Sequence, residues 1–165
     1  NRLKNVIVAT GSSISVPTTI DYVDYATDSW LILPMENEIG KLTEKEMQKK
    51  YYFVDNGLLN LFLMNSETSL LENIVAVELC RRFGKKNVFF LSAEKEIDFI
   101  VPDVKLAIQV SYSIKEEATH NREVAPLVKY SKTHEDWTCL LITYDEEGTE
   151  EGIPVVPVWK WLIGK

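Results

Sequence analysis

Cysteine and histidine are both scarce, with two of each in 165 residues. Cys80 and Cys139 stand far apart, with no Cys-x-x-Cys spacing and no histidine pair to complete a tetrahedral set. This excludes a zinc finger and a disulfide framework, and leaves two reduced, partly buried thiols as the expectation for a cytoplasmic protein. No run approaches the roughly 20 apolar residues that cross a bilayer, and residues 1–10 lack the apolar centre and cleavage site of a signal peptide, so no membrane partner is expected. Positive charge is short as well. Eighteen Lys and Arg against 25 Asp and Glu give a formal charge of −7. That balance weighs against broad nucleic-acid binding, whose affinity comes from basic side chains releasing counterions. A Gly-x-x-x-x-Gly-Lys-Ser/Thr phosphate loop is also absent, so no ATP hydrolysis is expected of this chain.

What is present is the composition of an ordered globular protein, 45% hydrophobic and 26% charged, enough for one domain or for a small domain beside a moderate one. The first residue is Asn1 rather than Met, which reads as the start of a piece cut from a longer protein.

Along the chain, Val6 and Ile7 sit in a short helix that Gly11-Ser12-Ser13 ends. A second helix opens near Pro17, capped from Ser15 to Thr18, with Ile20, Val23 and Thr27 on its apolar side. Extended runs at Trp30–Pro34 and Tyr51–Val54 flank a Glu- and Lys-rich stretch and predict a hairpin, the wing of a partial winged helix. The second helix carries Asp21, Asp24 and Asp28 and has no Lys or Arg between Pro17 and Trp30. Such a helix repels phosphate, so packing against another domain or subunit is the expected use. Lys41, Lys45, Lys49 and Lys50 form a weak basic patch diluted by Glu44 and Glu46.

Asp55-Asn56-Gly57 is a turn signal and the expected boundary between a segment 1–55 and a domain 56–165. From Ser66 to Phe83 the positions Leu70, Leu71, Ile74, Val75, Leu79 and Phe83 keep a helical period, stopped by Gly84. Three strands are predicted at Asn87–Leu91, Glu96–Val101 and Leu106–Ser113. A helix over Lys115–Ser131, interrupted or offset by Pro126, precedes a buried strand at Thr138–Tyr144, and Val155–Leu162 closes the chain.

Alternation places Glu96 and Asp98 on one face of their strand and Ile97 and Phe99 on the other. In the next strand Gln109 and Ser111 share a face opposite Ile108, Val110 and Tyr112. Polar residues in an apolar strand need partners or a wet cleft. Glu72 lies beside the apolar stripe of its helix, so Glu72, Asp98 and Gln109 can converge at one end of the sheet.

This order, with a helix glutamate and an aspartate on the second strand, resembles the PD-(D/E)XK phosphodiesterase superfamily. More narrowly, Lys50–Leu58, Leu71-Glu72-Asn73-Ile74-Val75, Glu96-Ile97-Asp98-Phe99 and Val156–Leu162 resemble the C-terminal region that follows the ATPase domain of many prokaryotic AAA-type ATPases. The resemblance implies an α/β (α+β) fold, a partial winged helix followed by a restriction-endonuclease-like αβββαβ domain with a mixed central sheet. It also implies an ATPase domain as partner, self-association as a further use, and ATP binding in the parent protein alone. Its metal-binding positions fall on Glu72, Asp98 and Gln109, with magnesium as the ion. Where active members carry Glu-x-Lys, this chain has Gln109-Val110-Ser111. A neutral amide is a poorer ligand than a carboxylate for a hard cation, and Ser111 supplies no positive charge beside a phosphate.

The leading expectation is therefore a non-catalytic accessory or regulatory region with a degenerate site. Its rival is a DNA or RNA nuclease whose missing cation comes from another element, with Lys105, Lys115, Arg122 and Lys129 as candidates. Binding of DNA through the winged helix is the third.

Structural readings stand beside these. Asp98 can pair with Lys95 or accept from a turn, Glu72 can be a helix-surface residue, and Glu78 is placed to pair with Arg82 one turn on. His120 and His134 read as solvated. Trp137, Trp159, Trp161 and Tyr51-Tyr52 read as packing residues.

Overall fold

A computed structural model describes residues 2–9, 11, 13–39, 49–62, 67–92 and 96–164. Helices α1 (Arg2–Ala9) and α2 (Val16–Asp28) come first. Pro17 stands in the first turn of α2, and the Ser15 Oγ accepts the Thr18 N–H at 3.2 Å, the expected cap. Strands β1 (Ile32–Asn37) and β2 (Lys50–Phe53) then pair antiparallel, with Leu33 opposite Tyr52 and Met35 opposite Lys50. Lys41, Glu44, Lys45 and Glu46 of the charged stretch between them lie outside the described residues, as does Lys95.

The Asp55-Asn56-Gly57 turn signal marks the start of a helix, α3 (Asn56–Phe62). Asp55 Oδ1 accepts the Leu58 N–H at 3.0 Å, so the residue that favours a turn here serves as a helix cap. Helix α4 (Glu67–Phe83) stops where predicted. Gly84 adopts φ +84, and its N–H donates to the Cys80 carbonyl at 2.9 Å.

Strands β3 (Phe89–Ser92), β4 (Glu96–Val101) and β5 (Leu106–Ser111) follow, then α5 (Glu117–Thr133), β6 (Thr138–Thr143), β7 (Gly148–Glu150), β8 (Ile153–Pro157) and α6 (Val158–Leu162). The mixed sheet runs β2-β1-β3-β4-β5-β6-β8-β7. Its β5–β6 and β6–β8 neighbours are parallel and its β3–β4–β5 section antiparallel. From α4 to β6 the order is αβββαβ in an α+β fold, as expected.

Two apolar clusters sandwich the sheet. On one face Leu71, Val75, Ala76 and Leu79 of α4 and Trp161 of α6 meet Phe99, Ile108, Val110 and Ile142. On the other, Val124, Leu127 and Val128 of α5 meet Ile97, Ile100, Ala107, Leu141 and Val155. Burial on both faces explains why β6 reads as a continuous apolar run. It also holds α5 unbroken through Pro126, which is buried inside the helix between these contacts rather than interrupting it.

The predicted wing is part of this sheet. Glu36 and Asn37 of β1 pair parallel with Phe89 and Phe90 of β3. Asn37 extends the pairing with its side chain, donating from Nδ2 to the Ser92 carbonyl and accepting the Ser92 N–H at Oδ1, both at 3.1 Å. Asn73 on α4 does the same for β2. It accepts the Phe53 N–H at 2.8 Å and donates to the Phe53 carbonyl at 2.9 Å. Each buried amide thus offers a strand the donor and acceptor of a missing neighbour. Together they fasten the end of β2 to α4 and the end of β1 to β3.

Candidate functional site

The strand carrying Asp98 is irregular. Leu91 pairs with Ile97 and Phe89 with Ile100, so three steps along β4 match two along β3. This extra residue is a β-bulge. It overturns the simple alternation, since Ile97 joins the α5-side cluster and Phe99 the α4-side cluster instead of sharing one face. At the bulge, side chains replace ladder bonds. The Asp98 N–H donates to Gln109 Oε1 at 3.3 Å, and Asp98 Oδ2 accepts the Val110 N–H at 2.9 Å. Each of the two polar side chains thus answers a backbone N–H of the opposite strand, Gln109 that of Asp98 and Asp98 that of Val110.

Gln109 also donates from Nε2 to Glu123 Oε2 of α5 at 2.7 Å, and the other oxygen of Glu123 accepts from Arg122 at 2.7 Å. Asp98, Gln109 and Glu123 are all buried, and among the described residues no buried side-chain nitrogen or oxygen lacks a partner. Such a network is rigid because each member is satisfied.

Lys50, the first residue of β2, completes the site. Its Nζ lies 2.5 Å from Glu96 Oε1, 3.3 Å from Glu72 Oε1 and 3.4 Å from Asp98 Oδ1. The Tyr52 hydroxyl donates to the same Glu72 oxygen at 2.7 Å. The cleft of about 400 Å³ is lined by Lys50, Glu72, Glu96, Asp98, Gln109, Arg122, Glu123 and Pro126.

Four carboxylates therefore face two cations. Burial, reinforced by the Glu72 charge and opposed by Lys50, pushes the Asp98 carboxyl up to about 7. Burial pulls the Lys50 ammonium down, but Glu72, Asp98 and Glu96 outweigh it and hold its pKa above the ordinary lysine value. Burial and the Glu72 charge raise the Tyr52 phenol, keeping it a donor.

Glu72, Asp98 and Gln109 thus meet as the sequence predicts. Ser111 does not join them. It is buried and donates to the Ser113 carbonyl at 2.9 Å. Of the four named cations, Arg122 reaches the cleft. Lys105 pairs with Asp136 on the surface, Lys115 stands 3.9 Å from Glu146 with an exposed side chain, and Lys129 is not among the lining residues. The residues missed are Lys50 and Glu123. The sequence places Lys50 in the basic patch, and nothing local to it marks it as a site residue. Glu123 had no signal beyond being a carboxylate near an apolar helix stripe.

Elsewhere the structural readings hold in part: His120 and His134 are half-buried and partnered rather than solvated, and Trp159 and Tyr51 are exposed rather than packed. Glu78 pairs with Arg82 at 2.6 Å and with Arg81 at 2.7 Å. His120 meets Glu150 at 3.0 Å, and His134 stacks on Tyr130. Trp161 and Tyr52 are buried, whereas Trp159 and Tyr51 are exposed. Cys80 and Cys139 are free thiols, each raised by burial. No described helix is long and apolar enough to cross a membrane.

No protein-family model matches the chain, and no solved structure matches it significantly. It is similar to the uncharacterized protein MJ1544 of Methanocaldococcus jannaschii, with 30% identity over 178 aligned positions covering 98% of the chain. The chain spans about 40% of the length of that relative.

Proposed function

We propose that the cleft is a metal-dependent phosphodiesterase site acting on DNA or RNA, arranged as in the PD-(D/E)XK superfamily but with its cation delivered by β2. The observation that carries this reading is the Lys50 ammonium, 3.4 Å from Asp98 and 3.3 Å from Glu72. A cation this close to the strand aspartate is what separates the enzyme reading from the degenerate one, and it comes from β2 rather than from Lys105, Lys115 or Lys129.

The residues fit a divalent ion in charge and donor chemistry. Glu72, Asp98 and Glu123 offer hard anionic oxygens, Gln109 a neutral one. The surplus of carboxylate over cationic side chains lining the cleft is what such an ion would offset. Among the described residues no three acidic, His or Cys side chains already surround an ion position, and the Lys50 ammonium stands where Glu72, Glu96 and Asp98 converge. A bound magnesium ion would act as a Lewis acid on a phosphoryl oxygen and lower the pKa of a coordinated water.

The chain's own groups have separable tasks. Gln109 orients the Glu123 carboxylate and holds the Asp98 backbone N–H, while the Val110 N–H orients the Asp98 carboxylate. Tyr52 fixes Glu72. Lys50 offsets charge on the phosphate in the transition state. Arg122, with its side chain 71% exposed at the cleft, offers a second contact to a phosphate oxygen.

The test is incubation with end-labelled single-stranded, duplex and branched DNA and with RNA, in magnesium and in manganese, alongside Asp98→Ala and Lys50→Ala. Cleavage that falls by about 100-fold or more in both variants is expected. No cleavage of any substrate, or cleavage indifferent to both substitutions, overturns the reading.

An accessory role beside an AAA-type ATPase is the second reading. It is supported by the resemblance of the motifs and by the apolar surface of α2, where Ile20, Tyr22 and Tyr25 are exposed.

A further inference from the structure

Resting on the phosphodiesterase reading, we infer that Lys50 is a built-in counter-ion which a divalent cation must displace, and whose displacement turns the ammonium toward substrate. An ammonium has three donors. Those of Lys50 face Glu96, Glu72 and Asp98 at 2.5, 3.3 and 3.4 Å, which leaves none for a phosphate oxygen. In the arrangement observed, the cation is present but spent.

The partners differ in how they are held. Glu72 keeps the Tyr52 hydroxyl at 2.7 Å, and Asp98 keeps the Val110 N–H at 2.9 Å. Both carboxylates have anchors that remain if the ammonium leaves. Lys50 has the three carboxylates and the Phe90 ring, whose centroid is 5.5 Å from Nζ. Its four-carbon stem makes it the adjustable member of the group.

Glu96 gives the direction of movement. It is the nearest partner and the most exposed of the three, its side chain 52% accessible against 28% for Glu72 and 11% for Asp98. Were Glu72 and Asp98 to hold a divalent ion, Lys50 would be left with Glu96, its most exposed partner, at the mouth of the cleft where a phosphodiester would arrive. Metal binding and readiness for substrate become one event, and Lys50 offsets part of the carboxylate charge meanwhile. By linkage, removing the competitor tightens the metal, with a coupling of about tenfold or more.

Calorimetric titration of manganese into the parent chain, Lys50→Met and Glu72→Gln tests this, with circular dichroism confirming the fold of each. Lys50→Met is expected to bind about tenfold tighter than the parent and Glu72→Gln more weakly. A measurement on the parent guards against misfolding of the variant: saturating magnesium should shift the Lys50 side-chain ammonium resonance in heteronuclear NMR. Equal or weaker manganese binding by folded Lys50→Met, or magnesium binding that leaves the Lys50 resonance unmoved, overturns the inference. Tighter binding without cleavage of any nucleic acid sustains the displacement and sinks the phosphodiesterase reading. Cleavage without tightening does the reverse. Absence of metal binding in parent and variant removes both.

Discussion

In the cleft, Asp98, Gln109 and Glu123 are buried and fully partnered, whereas on α2 the large side chains Ile20, Tyr22 and Tyr25 are 55%, 59% and 66% exposed and the buried residue is Thr19. One region places polarity where a core would be, and the other places apolar surface in solvent. The contrast shows that hydrophobicity along this chain does not by itself sort inside from outside. A buried polar group is tolerated once its donors and acceptors are answered, and an exposed aromatic costs little when it interrupts nothing.

The sharpest way to break the contrast is to remove an answer. Asn73→Ala leaves the Phe53 N–H and carbonyl and the Asn56 side-chain oxygen without their partner. We expect a loss of about 3 kcal/mol in urea unfolding, along with weaker contact between Lys50 and Glu72. A loss below about 1 kcal/mol would mean that water answers those groups instead.

Next in size is Arg82→Ala. The guanidinium lies 4.4 Å from the Trp161 ring and donates to the Trp161 and Leu162 carbonyls at 3.0 and 3.2 Å, fastening α6 to α4. About 1–2 kcal/mol should disappear, read from the unfolding midpoint. An unchanged midpoint would show that the packing of Trp161, Val158 and Leu162 holds α6 without the arginine.

Glu78 sharpens the comparison through pH. Hydrogen bonds from Arg81, opposed by some burial and aided by Arg82, hold its carboxyl at about 2, below the ordinary 4.5. Because the folded pKa is depressed, the stabilisation is present above about pH 4.5 and is lost as pH falls toward about 2. The melting temperature of Glu78→Gln should therefore lie below that of the parent near neutrality, and the two should converge in acid. A constant gap would assign the effect to packing.

The smallest effect is expected on α2. Replacing Ile20, Tyr22 and Tyr25 together by serine should change stability by about 0.5 kcal/mol or less per site, by thermal melting. A larger drop would show that these side chains are packed in solution, and the contrast with the cleft would fail.

How much of this was legible depended on the range of the interactions. Helix α4, strands β4, β5 and β6 and the meeting of Glu72 with Asp98 and Gln109 follow from local period and order. The bulge was not legible, because alternation assumes two-residue steps and the pairing of Phe89 and Leu91 with β4 breaks that step. Nor was the closing hairpin. Glu151 and Gly152 adopt φ +47 and +86 between the β7 and β8 pair Glu150 and Ile153, a two-residue turn in which Gly was the available cue. Lys50 escaped for a different reason. Its role depends on β1 pairing with β3, some fifty residues along the chain, and no local pattern carries that information.

The double bracket of Asn73 on Phe53 also bears on how molecules of this protein behave toward one another. Strand β2 ends the sheet, and a terminal strand with open N–H and carbonyl groups is a template onto which another chain can add, the first step of edge-to-edge aggregation. At Phe53 both groups are already occupied by a side chain that offers no continuing ladder. The same amide that positions the lysine strand therefore closes part of an adhesive border, and a chain without it should be the one that precipitates on concentration.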